Sequence, residues 1–71
     1  MRAQSQASPH EFTVDVAFFS GGEHYATQSY TLTASTWFSA ERQALQMSIN
    51  SVYDNPRVPY LSRSAAVRSA S

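Results

Sequence analysis

The histidines and carboxylates are the side chains of this sequence that could do acid–base chemistry, and four of them form two adjacent pairs. His10 precedes Glu11, and Glu23 precedes His24. Neighbouring side chains on an extended chain point to opposite faces, so neither pair can work as catalytic partners. The sequence therefore predicts that the protein is not an enzyme.

Metal and cofactor chemistry are not predicted either. The chain has two histidines, five acidic residues and no cysteine, at spacings that match no metal-ligand motif. No phosphate-loop pattern follows Gly21-Gly22, which is interpreted as a turn. Glu41 falls in the apolar arc of a predicted helix, where we expect it to reach water or an exposed amide at the helix start. We expect no cofactor.

The candidate residues lie on a predicted β-hairpin, because residues 11–34 alternate with a period of two. One face of the first strand is apolar, and Ser20–Glu23 forms the turn. A three-residue loop at Gly21–Glu23 gives one apolar and one polar face, so it is preferred over a Gly-Gly loop. This register predicts the pairs Phe12 with Leu32, Thr13 with Thr31, Val14 with Tyr30, Asp15 with Ser29, Phe18 with Ala26, and Phe19 with Tyr25.

A helical period over residues 36–52 follows the hairpin. Ser35 or Thr36 is expected to cap the helix, which should end before Pro56. Residues 57–61 are a candidate third strand, restricted to a sheet edge by Pro59. The buried face of the helix is expected to include Trp37, Ala44, Leu45 and Val52, extended by Phe38, Ile49, Ala40 and Met47.

These patterns predict the α+β class, as one small β-β-α-β domain over residues 11–61. Residues 1–10 and 62–71 are small and polar, and we expect both to be flexible. The core of such a unit is too small to be stable alone, so we expect a third strand, a homodimer or a partner surface.

A protein interface is predicted at the tip of the hairpin. Phe19, His24 and Tyr25 are aromatic residues near a protruding turn, and such residues are typical binding anchors. The interpretation left open beside it is that they pack against Tyr60 or the chain end. Arg57 and Tyr60 complete the predicted interface.

The arginines of the C-terminal segment allow a second interpretation. Arg57, Arg63 and Arg68 follow residue 54 with no acidic residue among them, and they could contact phosphate or an acidic protein groove. Charged residues are only 14% of the chain and the net charge is zero, which argues against a general nucleic-acid coat. Nucleic acid is therefore the less favoured partner.

The sequence resembles the small podophage-encoded inhibitors of bacterial RNA polymerase. The shared features are an aromatic-led strand at Phe12–Phe18, a turn with Glu23 and His24, a strand that ends in Ala34, paired helical alanines, and a proline before a short arginine-containing segment. The similarity covers about residues 11–63. It implies a compact β-β-α-β protein that binds the polymerase through charged surfaces.

We therefore expect a phage- or mobile-element-encoded protein that inhibits or redirects a host protein complex by covering part of its surface. RNA polymerase is the first candidate target, and a CRISPR-Cas effector is the second. The alternative is a homodimeric nucleic-acid-binding or assembly protein that uses the basic tail. No signal sequence or membrane span is seen, so the expected location is the host cytoplasm, away from any membrane.

Overall fold

Three antiparallel strands and one helix form the structure, a computed structural model that describes residues 9–70. The elements are β1 (His10–Ser20), β2 (Glu23–Ala34), α1 (Trp37–Met47) and β3 (Leu61–Ala70), with a turn of 3₁₀ helix at Ser48–Asn50. The strand order is β2-β1-β3, so β1 is central and both other strands are edges. This arrangement confirms the predicted α+β class.

The register of the hairpin agrees with the sequence pattern along most of its length. Phe12 pairs with Leu32, Val14 with Tyr30, and Asp15 with Ser29. Thr13 pairs with Thr31 and Phe18 with Ala26, as predicted. The apolar side chains of both strands decide this register, because a one-residue slip would move those of β2 away from the apolar face of β1.

The turn itself differs from the prediction. The register shifts after Phe18, so that Phe19 pairs with His24 rather than with Tyr25, and Ser20 pairs with Glu23. The loop is therefore the two-residue Gly21-Gly22, and Tyr25 is the extra residue of a β-bulge. Both glycines have positive φ, at 57° and 84°, which a tight two-residue hairpin turn of this kind requires.

The C-terminal segment is a strand, and the prediction of a flexible tail at residues 62–71 is wrong for residues 62–70. β3 pairs antiparallel with β1, from Ser20 opposite Leu61 to Phe12 opposite Ala70. The predicted strand at residues 57–61 is also wrong, except for Leu61. Pro59 lies just before β3, where its missing N–H breaks no pairing.

The helix packs on the sheet through its smallest side chains, which corrects the predicted helix face. Ala40, Ala44 and Ser48 are fully buried, while Leu45 is half-buried. Trp37 and Val52 were expected in the core but are 60% and 84% exposed. Small residues let the helix backbone approach the bulky side chains of β1, and the large residues extend past the contact. The buried apolar side chains are Phe12, Val14, Val16, Phe18, Ala34, Ala40 and Ala44.

The helix begins as predicted and ends before residue 52, the last residue of the predicted helical period. The hydroxyl of Thr36 accepts a hydrogen bond of 3.1 Å from the backbone N–H of Ser39, which is the N-cap arrangement. The α-helix stops at Met47 and the 3₁₀ turn at Asn50, before Pro56.

Residues 1–8 of the predicted flexible lead lie outside the described residues, and His10 belongs to β1.

Candidate functional site

The adjacent His–Glu pairs lie in strands, although the sequence predicts His10 in the flexible lead and Glu23 in the turn. His10 and Glu11 are consecutive residues of β1, and Glu23 and His24 are consecutive residues of β2. The His24 ring lies 2.7 Å (Nε2 to Oγ1) from the hydroxyl of Thr27, and it forms no ion pair with an acidic residue in the described part of the chain. Within residues 9–70, no three His, Asp or Glu side chains lie together as metal ligands would. That the protein is not an enzyme stays a prediction.

The end of the hairpin carries an aromatic surface, which we call the tip surface: Phe19, His24 and Tyr60. The rings of Phe19 and His24 make a tilted contact, with centroids 5.5 Å apart and planes inclined at 59°. Tyr60 is 86% exposed beside the turn, where its carbonyl accepts a hydrogen bond of 3.2 Å from the Gly21 N–H. The Ser20 hydroxyl also donates to the carbonyl of Pro59 at 2.8 Å. Three of the predicted interface residues thus lie around one turn.

Tyr25 and Arg57, the other two predicted interface residues, are placed differently. The Tyr25 ring packs near the buried ring of Phe18, with centroids 6.3 Å apart, and its hydroxyl donates to the Tyr53 carbonyl at 2.6 Å. Tyr25 therefore holds the segment after the helix against the hairpin. Arg57 is exposed in the loop before β3, and its backbone N–H donates to the side chain of Asn55 at 2.9 Å.

The backbone at Tyr60 is in a conformation that side chains other than glycine rarely adopt. Its φ is 52°, the left-handed region, although Tyr60 carries a bulky side chain. A residue in this conformation lowers the folding stability by of order 1–3 kcal/mol, and the conformation is kept only where the surrounding structure imposes it. Here the bonds from Ser20 and Gly21 impose it, and they leave the ring in solvent.

A charged cluster lies on the sheet face that the helix does not cover, which we call the open face. Arg68 contacts Asp15 through two guanidinium nitrogens, at 2.9 and 3.1 Å, and also donates to the Ser29 hydroxyl. Ser29 donates in turn to Asp15 at 2.6 Å. These hydrogen bonds, first from Arg68 and then from Ser29, lower the pKa of Asp15 below its ordinary value. The cluster therefore ties all three strands together.

The Asp15 cluster predicts an acid-sensitive component of stability. Because the folded-state pKa of Asp15 is lowered, its contribution is complete above the unfolded-state pKa of about 3.9 and is lost as the pH falls through the folded value. Asp15→Asn should therefore flatten the fall of the urea midpoint below about pH 4. Urea titrations at several pH values measure this.

The control for that measurement is Glu23→Gln, at the exposed turn, where no ion pair is formed within the described chain. Its pH profile should run parallel to that of the native protein. Equal acid sensitivity in the native protein and Asp15→Asn would show that the cluster adds no stability.

The arginines of the predicted nucleic-acid site are largely engaged inside the fold. Arg63 forms an ion pair of 2.8 Å with Asp54, which links β3 to the loop before it. Arg68 pairs with Asp15. Of the three arginines, Arg57 alone has no ion pair in the part of the chain that the structure describes. The three therefore do not form a continuous basic surface.

A second aromatic surface lies at the start of the helix, and the sequence predicts two of its residues, Trp37 and Phe38, on the buried face. The helix surface consists of Trp37, Phe38 and Arg42. Trp37 and Phe38 are 60% and 57% exposed, with their rings edge to face at 6.0 Å. The Arg42 guanidinium lies 5.9 Å from the centre of the Phe38 ring, within cation–π range. The signal in the sequence was the row of small residues Ala40, Ala44 and Ser48, which marks the true buried face.

Together these features define a small α+β protein with one helix on a three-stranded antiparallel sheet and aromatic side chains exposed at both ends. Comparison with protein-family models, with curated proteins and with solved structures gives no match. Among residues 9–70 there is no helix with the length and apolar character needed to cross a membrane.

Proposed function

We propose that this chain is a protein-binding module that inhibits or redirects a partner complex by covering part of its surface. The observation that carries this proposal is the exposed Trp37–Phe38 pair. Trp and Arg are enriched among the residues that dominate binding energy at protein interfaces, and an aromatic pair adds large contact area. A protein that acts by occlusion needs such anchors and a complementary shape, and no catalytic group.

The ion pairs of β3 favour a protein partner over nucleic acid. Arg63 and Arg68 are neutralised by Asp54 and Asp15, which leaves Arg42 and Arg57 as the arginines without an ion pair among residues 9–70. Binding to nucleic acid through several arginines would fall steeply as salt rises. Binding through Trp37 and Phe38 should change much less over the same salt range.

The first targets to test follow from the resemblance to phage inhibitors. A phage or mobile-element origin is part of the same hypothesis. Bacterial RNA polymerase comes first, and a CRISPR-Cas effector complex second. The immobilised protein is incubated with each purified complex and with nuclease-treated bacterial lysate. We expect one complex to be retained in stoichiometric amount.

The variant Trp37→Ala with Phe38→Ala should weaken retention of that complex by about 100-fold or more, which corresponds to about 2.8 kcal/mol, since the loss of each central anchor costs about 2 kcal/mol. Phe19→Ala with Tyr60→Ala tests the tip surface in parallel. The matched control is Thr31→Ala with Thr33→Ala, at two exposed residues of the open face, which should retain the complex fully.

Two results would contradict the proposal. One is that no complex is retained by the native protein from either source. The other is that the Trp37/Phe38 and Phe19/Tyr60 variants both retain the complex as well as the control. Circular dichroism of each variant shows that a loss of binding is not a loss of folding.

A further inference from the structure

The two edges of the sheet differ in how they are protected from further pairing. An edge strand exposes unpaired N–H and C=O groups, and proteins protect such edges with charges, prolines or bulges. β3 carries Arg63 on its helix-facing side and has a bulge at Arg68. From Ala26 to Ala34, β2 has no charged residue, proline or bulge, and it pairs regularly with β1. The free edge of β2 is therefore ready to accept another strand.

An apolar groove lies along the helix-facing side of β2. It is lined by Tyr30 of the strand, Met47 at the helix end and Val52 after the helix, together with the polar residues Gln28, Asn50 and Ser51. Met47 is exposed and Val52 is 84% exposed, so large apolar side chains lie in solvent directly beside an open strand edge. A ligand for this site must offer a strand and an apolar surface on the same face of that strand.

We propose that this ligand is a second copy of the chain, whose β2 pairs antiparallel with β2 about a twofold axis. The result is one continuous sheet of six strands, three from each copy. Pairing centred near Ser29 sets Thr27 of one copy opposite Thr31 of the other, and Gln28 opposite Tyr30. Threonine pairs stabilise neighbouring strands, and no like charges meet. The two Glu23 residues fall at opposite ends of the pairing.

The same pairing covers the apolar groove. The helix contacts all three strands of its own sheet, so both helices of the dimer lie on one face of the joined sheet. The two β1 strands are then three strand spacings apart, about 14 Å. The side chains of Tyr30, Met47 and Val52 from both copies fill the space between the helices. The helix surface with Trp37 and Phe38 is not used, so the dimer does not depend on the proposed partner.

Sedimentation velocity of the purified protein over a range of concentrations tests this proposal. The native protein should change from monomer to dimer as concentration rises. Thr27→Lys with Thr31→Lys should weaken dimerisation by roughly tenfold or more, because lysines then face lysines across the axis. Thr27→Glu with Thr31→Glu should do the same. An equimolar mixture of the two variants should form a heterodimer, since opposite charges then face each other.

The matched control places the same charge on the other edge. Ser62→Lys with Ser64→Lys alters two exposed residues of β3 and should leave dimerisation unchanged. Hydrogen exchange of the native protein adds a test without substitution, since within residues 26–34 the backbone amides that point to the free edge should gain protection as concentration rises.

Three results would overturn the proposal. The first is a native protein that stays monomeric at every concentration, and the second is a lysine or glutamate variant that dimerises as the native protein does. The third is a mixture of folded lysine and glutamate variants that remains monomeric. These measurements use the purified chain alone, so their outcome is independent of whether a partner complex is captured.

Discussion

Deletion of residues 62–71 is expected to abolish folding. The deletion removes almost all of β3, so the central strand β1 loses one of its two neighbours along its whole length. It also removes Arg63 and Arg68, which leaves Asp54 and Asp15 without their ion-pair partners. An isolated two-stranded hairpin is marginal in water, and the helix loses β3, one of the three strands on which it packs. The far-ultraviolet circular dichroism and its thermal melt measure the result.

A pair of substitutions tests the same strand without truncation. Ala65 lies on the helix-facing side of β3, packed against the core, while its neighbour Ser64 is exposed on the open face. Ala65→Asp should destabilise the protein strongly because it places a carboxylate among apolar side chains, and Ser64→Asp should change the melting temperature little. A cooperative melt of the truncated chain at the native temperature would show that β3 is dispensable.

Phe18→Ala should lower the free energy of unfolding by about 3–5 kcal/mol, which is a large part of the stability of a small domain. The Phe18 side chain is completely buried and contacts Tyr53, with ring centroids 5.6 Å apart, as well as Tyr25. Its loss leaves a cavity between the sheet and the segment that follows the helix. Urea denaturation at neutral pH measures the change.

The matched control is the next residue. Phe19 is also a strand phenylalanine, but it points to the other face, where it contacts His24 and is half-buried. Phe19→Ala should cost only about 1 kcal/mol, and any effect on partner capture then reports binding rather than folding. Equal losses of stability in the two variants would contradict the assignment of the two faces.

The hairpin could be predicted from the sequence because both of its strands alternate. Four large apolar residues alternate along β1, and a one-residue slip would take Tyr30 and Leu32 of β2 off their side of the sheet. The bulge at Tyr25 could not be predicted, because a bulge and a longer loop give the same register beyond Ala26. The difference matters for function, since it turns Tyr25 away from Phe19.

The third strand could not be recognised because its side chains are so small. Leu61, Ala65 and Val67 share one face with Arg63, serines and an alanine lie between them, and this weak apolar signal resembles a solvated tail. Pairing with β1 makes the strand, and that partner lies far away in the sequence. The ion pairs of Arg63 and Arg68 depend on the same strand pairing, so they could not be predicted from the sequence either.

The helix surface was missed for a related reason. The helical period puts Trp37 on the apolar side of the helix, because it reflects the hydrophobicity of each side chain and not its volume. In the fold, the limited space above Val14 and Val16 admits alanine and serine, so Trp37 and Phe38 remain outside. The tip surface, by contrast, followed from the position of the turn, although its role in binding stays a prediction.

The attachment of Pro59 and Tyr60 to the hairpin turn has a consequence for the order in which the sheet assembles. Ser20 and Leu61 are the β1–β3 partners nearest in sequence, and the hydrogen bond from Ser20 to Pro59 spans 39 residues. Because closing that loop costs the most chain entropy, we expect it to precede the remaining β1–β3 pairs, which then form with little further loss of entropy. The constrained backbone at Tyr60 thus sets the register in which β3 begins to pair with β1. The residue that exposes its aromatic ring to solvent therefore also aligns the last strand.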